Sequence, residues 1–323
     1  MMRLLIGSEL RKLLTRPIVF VLLTVFLIGI ADITWTGQKF GREQWQASVN
    51  DYNMLHDQVR TFANCAGRSG QDLADCHRIA LIEWHDAQSF LAWGKSIGAA
   101  GAASQHPLGA PGWVAGLLGS APGIVAAFLL AAMAVAAEWE KGTATVLLLA
   151  ERRLDRILLA KGIALWSLLM GMLAIGTLLV LGLDYWYFAH AYPLTELIPS
   201  NNALIWYSIR RVATAAVVTA VAVGLGVLAA ARWRTRGAVI SFGAVLAATA
   251  FLGAPWPVIW QWTPAGVVAS LAHYTSNHGI WDHAWPAAVT HPAPLLLRAA
   301  VAATLVGGLG WWLRSGHPRR GLL

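Results

Sequence analysis

Glu138-Trp-Glu-Lys-Gly-Thr-Ala-Thr-Val-Leu-Leu-Leu-Ala-Glu-Arg-Arg-Leu-Asp-Arg-Ile-Leu-Leu-Ala-Lys161 is a charged island between two long apolar runs, Gly112–Ala137 and Gly162–Leu183. Charge is costly in hydrocarbon, so such an island returns the chain to water between two membrane-crossing helices. Its Arg and Lys content places it on the cytoplasmic side. Working outward, further apolar runs near the ~20 residues that cross a bilayer lie at Pro17–Thr36, Val212–Ala231, Gly237–Ala254 and Leu295–Leu313. The expected fold is an all-α integral membrane protein of about six transmembrane helices, with residues 1–323 forming one membrane domain.

Composition agrees. Hydrophobic residues make up 57% of the chain and charged residues 12%, about half the charged share of a soluble domain. A net charge of +8 suggests nucleic acid until its placement is read. Most of the 24 basic residues fall in four groups that share one side of the membrane under this layout: Arg3, Arg11, Lys12 and Arg16; Lys141, Arg152, Arg153, Arg156 and Lys161; Arg232, Arg234 and Arg236; Arg314, Arg319 and Arg320. Only Arg210, Arg211 and Arg298 flank spans on the other side. This bias puts both termini in the cytoplasm and the chain in the cell's inner (plasma) membrane as a multi-pass protein. It leaves no basic stripe on a soluble domain for nucleic acid. The first apolar run is long and no small-residue cleavage site follows it, so it is expected to stay as an anchor.

Residues 2–15 read as an amphipathic interfacial helix, with Leu4, Leu5, Leu10, Leu13 and Leu14 opposite Arg3, Glu9, Arg11 and Lys12. The alternative is that these charges simply flank the first span. Residues 38–111 form a long polar insertion on the extracytoplasmic side. It reads as a helical hairpin, Arg42–Asn64 and Gln71–Lys95, turned at Ala66–Gly70, with a flexible Gly- and Ala-rich return over Ala99–Pro111. The two cysteines, Cys65 and Cys76, flank the turn. Their position in an oxidising compartment predicts a disulfide worth about 3 kcal/mol in loop closure, against two unpaired thiols. Glycines 112, 116, 119 and 123 give the second span a small-residue face for close helix contact.

No motif in the chain carries catalysis. It has no G-x-x-x-x-G-K-[ST] phosphate loop, no His-Glu-x-x-His and no G-x-S-x-G. The chain is therefore expected not to be an enzyme and to hold no metal or cofactor. Asp32 and Asp184 fall near the outer ends of spans, where water is expected to reach them, which argues against a carrier driven through intramembrane carboxylates. After Pro255-Trp256-Pro257 the chain is expected to dip into the outer leaflet and return. A Trp- and His-rich segment, 256–291, follows with His273, His278, His283 and His291. The two readings for that segment are interfacial anchoring and the handling of haem or metal.

The island itself has two readings. It is a plain loop obeying the charge bias, or a short surface helix with Thr143–Leu149 on apolar surface and Glu151–Arg156 facing a partner. Mixed charge favours the second, because a topology signal needs only Lys and Arg. Glu138, Glu140, Glu151 and Asp155 add acceptors for a protein surface, and Arg152, Arg153 and Arg156 add donors.

Glu140-Lys141-Gly142-Thr143, then Leu147-Leu148-Leu149, then Arg153, Arg156 and Lys161 resemble the cytoplasmic coupling segment of type-2 ABC exporter permeases. Ser8-Glu9-Leu10-Arg11-Lys12-Leu13 resembles that family's N-terminal connecting helix, and Thr263-Pro264 resembles its re-entrant region before the last span. A proline that often follows the leucines there is absent; Glu151 stands near that place. The resemblance implies a permease subunit that forms the substrate pathway of an ATP-driven exporter. It implies a second permease copy, identical or not, and two cytoplasmic ATPase subunits that carry ATP and Mg. Glu140, Gly142, Thr143, Arg152, Arg153, Asp155, Arg156 and Lys161 would then couple to the ATPase, with Glu9, Arg11 and Lys12 on the connecting helix.

Overall fold

The computed structural model describes residues 2–15, 17–61, 65–143, 153–252, 300, 303–305 and 307–312. Among these the regular structure is helical, without a strand. Among the described residues three helices are long and apolar enough to cross a membrane: Gly123–Glu140, Leu154–Ala191 and Asn201–Trp233.

Helix α1 is Met2–Leu14. Helix α2, Pro17–Thr61, is continuous over 45 residues and joins the first apolar run to the first polar helix expected after it. Composition changes at Gln38, but the chain carries no proline there. Nothing breaks the backbone hydrogen-bond ladder, so the helix runs on. Helix α3, Gly70–Ser104, returns antiparallel along α2. It absorbs residues 99–104, which composition assigned to a flexible return. Alanine is the best helix former, and Ala100, Ala102 and Ala103 are buried. Gly101 brings the backbones together: a methyl group there would stand 3.6 Å from the Gln38 Cα. Cys65 and Cys76 form the expected disulfide, their Cα atoms 5.9 Å apart, at the end where α2 gives way to α3. Tyr52, His56 and Trp84 stack across the pair just below.

The second apolar run is two helices, α4 (Ala110–Leu118) and α5 (Ala121–Glu140). Gly119 ends the first and Pro122 lies in the opening turn of the second, where a missing N–H costs nothing. Three of the four glycines, Gly112, Gly116 and Gly119, pack closely against α7 (Asn201–Trp233), while Gly123 meets the Leu117 and Leu118 carbonyls at the end of α4 instead. A methyl group on Gly112 would lie 2.9 Å from the Ser208 Cα, and Ser208 Oγ donates to the Leu108 carbonyl beside it.

Helix α6 covers Leu154–Leu183 and continues through a π-helical turn, Asp184–Phe188, to Ala191. It begins eight residues before the expected span, directly after Arg153, whose backbone is extended. Helix α7 ends at Trp233, and Arg234 (φ 60°) turns the chain into α8, Arg236–Leu252. This is the tight turn expected from Arg232–Arg236. The core lies among α4, α5, α6 and α7, built on Trp113, Phe128, Leu165, Leu169 and Val223. The expected re-entrant region, the Trp- and His-rich segment and part of the last apolar run lie outside the described residues.

Candidate functional site

The buried stripe of α6 near its start runs Ile157, Ala160, Lys161, Ala164, Leu165. These positions repeat at the spacing of one helix face, so Lys161 is carried inward among apolar neighbours and is 5% exposed. On α5, Ala131, Val135 and Glu138 share a buried face in the same way, with Glu138 7% exposed. On α1, Glu9 sits one turn before Leu13, and both are buried, Glu9 at 6%. The amphipathic reading of α1 placed Glu9 on the polar side. Packing of α1 against α6 turns it inward and leaves Leu4 and Leu14 exposed.

The three charges meet. Lys161 Nζ donates to Glu9 Oε2 at 2.7 Å and lies 2.5 Å from Glu138 Oε2. Lys12 Nζ donates to the other Glu9 oxygen, Oε1, at 2.8 Å. Burial pushes the Glu9 carboxyl up, but hydrogen bonds from Lys12 and Lys161 and their charges outweigh it and hold the group below its usual range. Two acids and two amines thus close a charge-balanced node. A cavity of about 10 Å³ beside it, lined by Leu13, Val135 and Leu165 among others, is no larger than one water.

The other predicted residues are placed as follows. Glu140 turns back to α8: its Oε1 accepts from the Arg236 backbone N–H at 2.8 Å and its Oε2 lies 3.0 Å from Arg236 Nε. A carboxylate at a helix N-terminus meets unpaired N–H groups and the positive end of the dipole. Gly142 takes φ 71° to leave α5, a conformation that strains any residue with a Cβ. Thr143 Oγ1 donates to the Glu138 carbonyl at 3.2 Å. Arg153, Asp155 and Arg156 are exposed on the first turn of α6, and Arg11 and Lys12 on α1. Arg152 lies outside the described residues, as does the leucine run of the island. Lys161, Glu9 and Lys12 are therefore brought together, Glu140 and Thr143 serve contacts within the chain, and Arg153, Asp155 and Arg156 face solvent.

A second polar node lies at the far end of α6. Gln38 Nε2 donates to Asp184 Oδ1 at 2.6 Å and to Ser104 Oγ at 2.7 Å. Gln105 Nε2 donates to Gln38 Oε1 at 3.2 Å and to the Tyr192 carbonyl at 2.8 Å. Gln38 and Ser104 are fully buried and Asp184 is 3% exposed. Water was expected to reach Asp184. The end of α3 and the 192–194 loop cover it instead, while Tyr185 and Trp186 beside it stay open. Asp32 is exposed, as expected. Asp184 Oδ2 meets no hydrogen-bond partner among the described residues. No group of three metal-binding side chains occurs among the described residues.

The class these observations define is an all-α protein with helices able to cross a membrane. No family model matches the chain, and neither a curated protein nor a solved structure is significantly similar to it.

Proposed function

We propose that this chain is the permease subunit of an ATP-driven exporter of the type-2 ABC class, working with a second permease copy and cytoplasmic ATPase subunits. One observation supports this most. The two stretches that carry the resemblance, residues 8–13 and 138–161, are far apart in sequence, yet Glu9 and Lys161 bond directly. A connecting helix locked to both roots of a coupling segment is what transmission from a soluble motor needs. Motion imposed on either root reaches the other through a buried charge node rather than through a slack loop.

Six spans are assigned: the first part of α2, α4 with α5, α6, α7, α8, and residues 295–313. Both termini lie inside the cell, the α2–α3 pair projects outside, and the bilayer is the inner membrane. The docking face is Arg153, Asp155 and Arg156, with the residues just before them. Nucleotide bound by the partner would move this face, and the helices behind it would open the pathway outward.

The test is site-specific cross-linking from position 153 or 156 in native membranes. The expected product is an ATP-hydrolysing subunit, and charge reversal at Arg153 and Arg156 is expected to abolish its capture while the protein remains folded. External labelling of this segment, or capture of no nucleotide-hydrolysing partner, would sink the proposal.

A further inference from the structure

Arg232 and Arg234 flank Trp233 where α7 ends. Arg234 has left the helix, and its guanidinium lies 4.7 Å from the ring centre of Trp139 on α5. The Arg232 guanidinium lies 5.8 Å from the ring centre of Trp312, in helical residues 307–312. Between them the Trp233 ring stands 6.3 Å from Trp312 and 5.0 Å from Phe242. Two guanidinium groups are thus held against indoles on either side of a third. Aromatic faces attract a cation without neutralising it.

Neither arginine has an acidic partner among the described residues. Glu140, the sequence neighbour of Trp139, is committed to Arg236. Arg232 Nε is buried and donates to nothing among the described residues. A planar N–H donor kept dry and unused is suited to a phosphate oxygen. Trp312, which Arg232 faces, is 47% exposed; its sequence neighbour Trp311 is 71% exposed, and Leu305 and Ile240 of the adjoining helical segments are 55% and 46% exposed.

We infer that Arg232 and Arg234 form a binding site for the phosphate of an anionic phospholipid, whose acyl chains lie along the exposed Trp311, Leu305 and Ile240 surface. Charge complementarity selects an anion. The flanking apolar surface selects a lipid over a soluble anion, which would leave that surface wet. The inference needs a membrane at this end of the bundle and is independent of any transport role.

Native mass spectrometry of the full-length chain in detergent tests it, with phosphatidylglycerol and phosphatidylcholine offered together. The wild-type chain is expected to retain phosphatidylglycerol in excess. R232Q/R234Q is expected to lose that excess roughly thirtyfold, from two basic contacts. R153Q/R156Q, with the same charge change elsewhere, is expected to keep it. R232K/R234K, which keeps charge but not the planar fork, is expected to fall between and serves if the glutamine variant does not fold. An unchanged excess in R232Q/R234Q or R232K/R234K, an equal loss in R153Q/R156Q, or displacement of the lipid by millimolar inorganic phosphate would each overturn the inference.

Discussion

The two ends of α6 bury polar groups in opposite ways. At the Lys161 end, charges of both signs close on one another, and each carboxylate of the node meets an amine. At the Asp184 end, one acid meets only neutral partners: Gln38 bonds to one oxygen, and the other has none among the described residues. Burying charge is costly in both places. The first end offsets the cost by pairing and is therefore fragile to the loss of any one partner. The second spreads its hydrogen bonds over amides, a hydroxyl and backbone, so each loss is smaller.

The comparison is broken most directly by Lys161→Met. Two carboxylates would then stay buried without their amine, and we expect a loss of about 3–5 kcal/mol in stability. Thermal unfolding in detergent measures it, and stability equal to wild type would show that the node is not balanced as described. Replacing Glu9, Glu138 and Lys161 together with apolar residues of similar size should recover most of the loss.

Gln38→Ala comes next, at about 1–3 kcal/mol, because it strands Asp184 and removes one hydrogen bond each from Ser104 and Gln105, which keep their bonds to the Gly101 and Tyr192 carbonyls. Asp184→Asn should cost less than Lys161→Met, since the amide still accepts from Gln38 and removes the lone buried acid. If Asp184→Asn proved the more damaging, the contrast between the ends would be reversed.

Acid sharpens the comparison further. The folded-state value of Glu9 lies below its ordinary 4.5. Its contribution is therefore present above pH 4.5 and is lost as pH falls through the folded value. Hydrogen exchange in α1 should rise below pH 4.5, and Glu9→Gln should remove that dependence. An unchanged profile in the variant would assign the effect elsewhere. The smallest effect is expected from Glu140→Ala. Its pair with Arg236 is over a third exposed on each side, so about 1 kcal/mol or less is at stake. Unfolding of the purified variant measures it.

Much of the node at the Lys161 end is legible in the sequence. A lysine at the fourth position after Ile157, with Ala164 and Leu165 following, sits on an apolar stripe. Such a lysine calls for a buried acid, and Glu138 stands on the matching stripe of α5. The stripe of α1 was drawn around its leucines, although Glu9 falls one turn from Leu13. The break between α4 and α5 was also written, in Gly119 and Pro122, but unbroken apolar composition masked it. The burial of Asp184 was not legible. Its cover comes from Gln38 and Ser104, distant in sequence, and depends on α3 running helical past the point where composition suggested slack. The disulfide is legible because two cysteines on either side of one short turn leave little choice of partner.

The unbroken course of α2 has a mechanical consequence. A helix with no interruption between its end near Pro17 and its end near Thr61 works as a lever. At about 1.5 Å per residue its 45 residues reach roughly 68 Å. A tilt of ~10° at the base would swing the cystine-clasped tip by about 12 Å. Small adjustments where α2 leans on α6 would thereby be magnified at the far extremity of the helix.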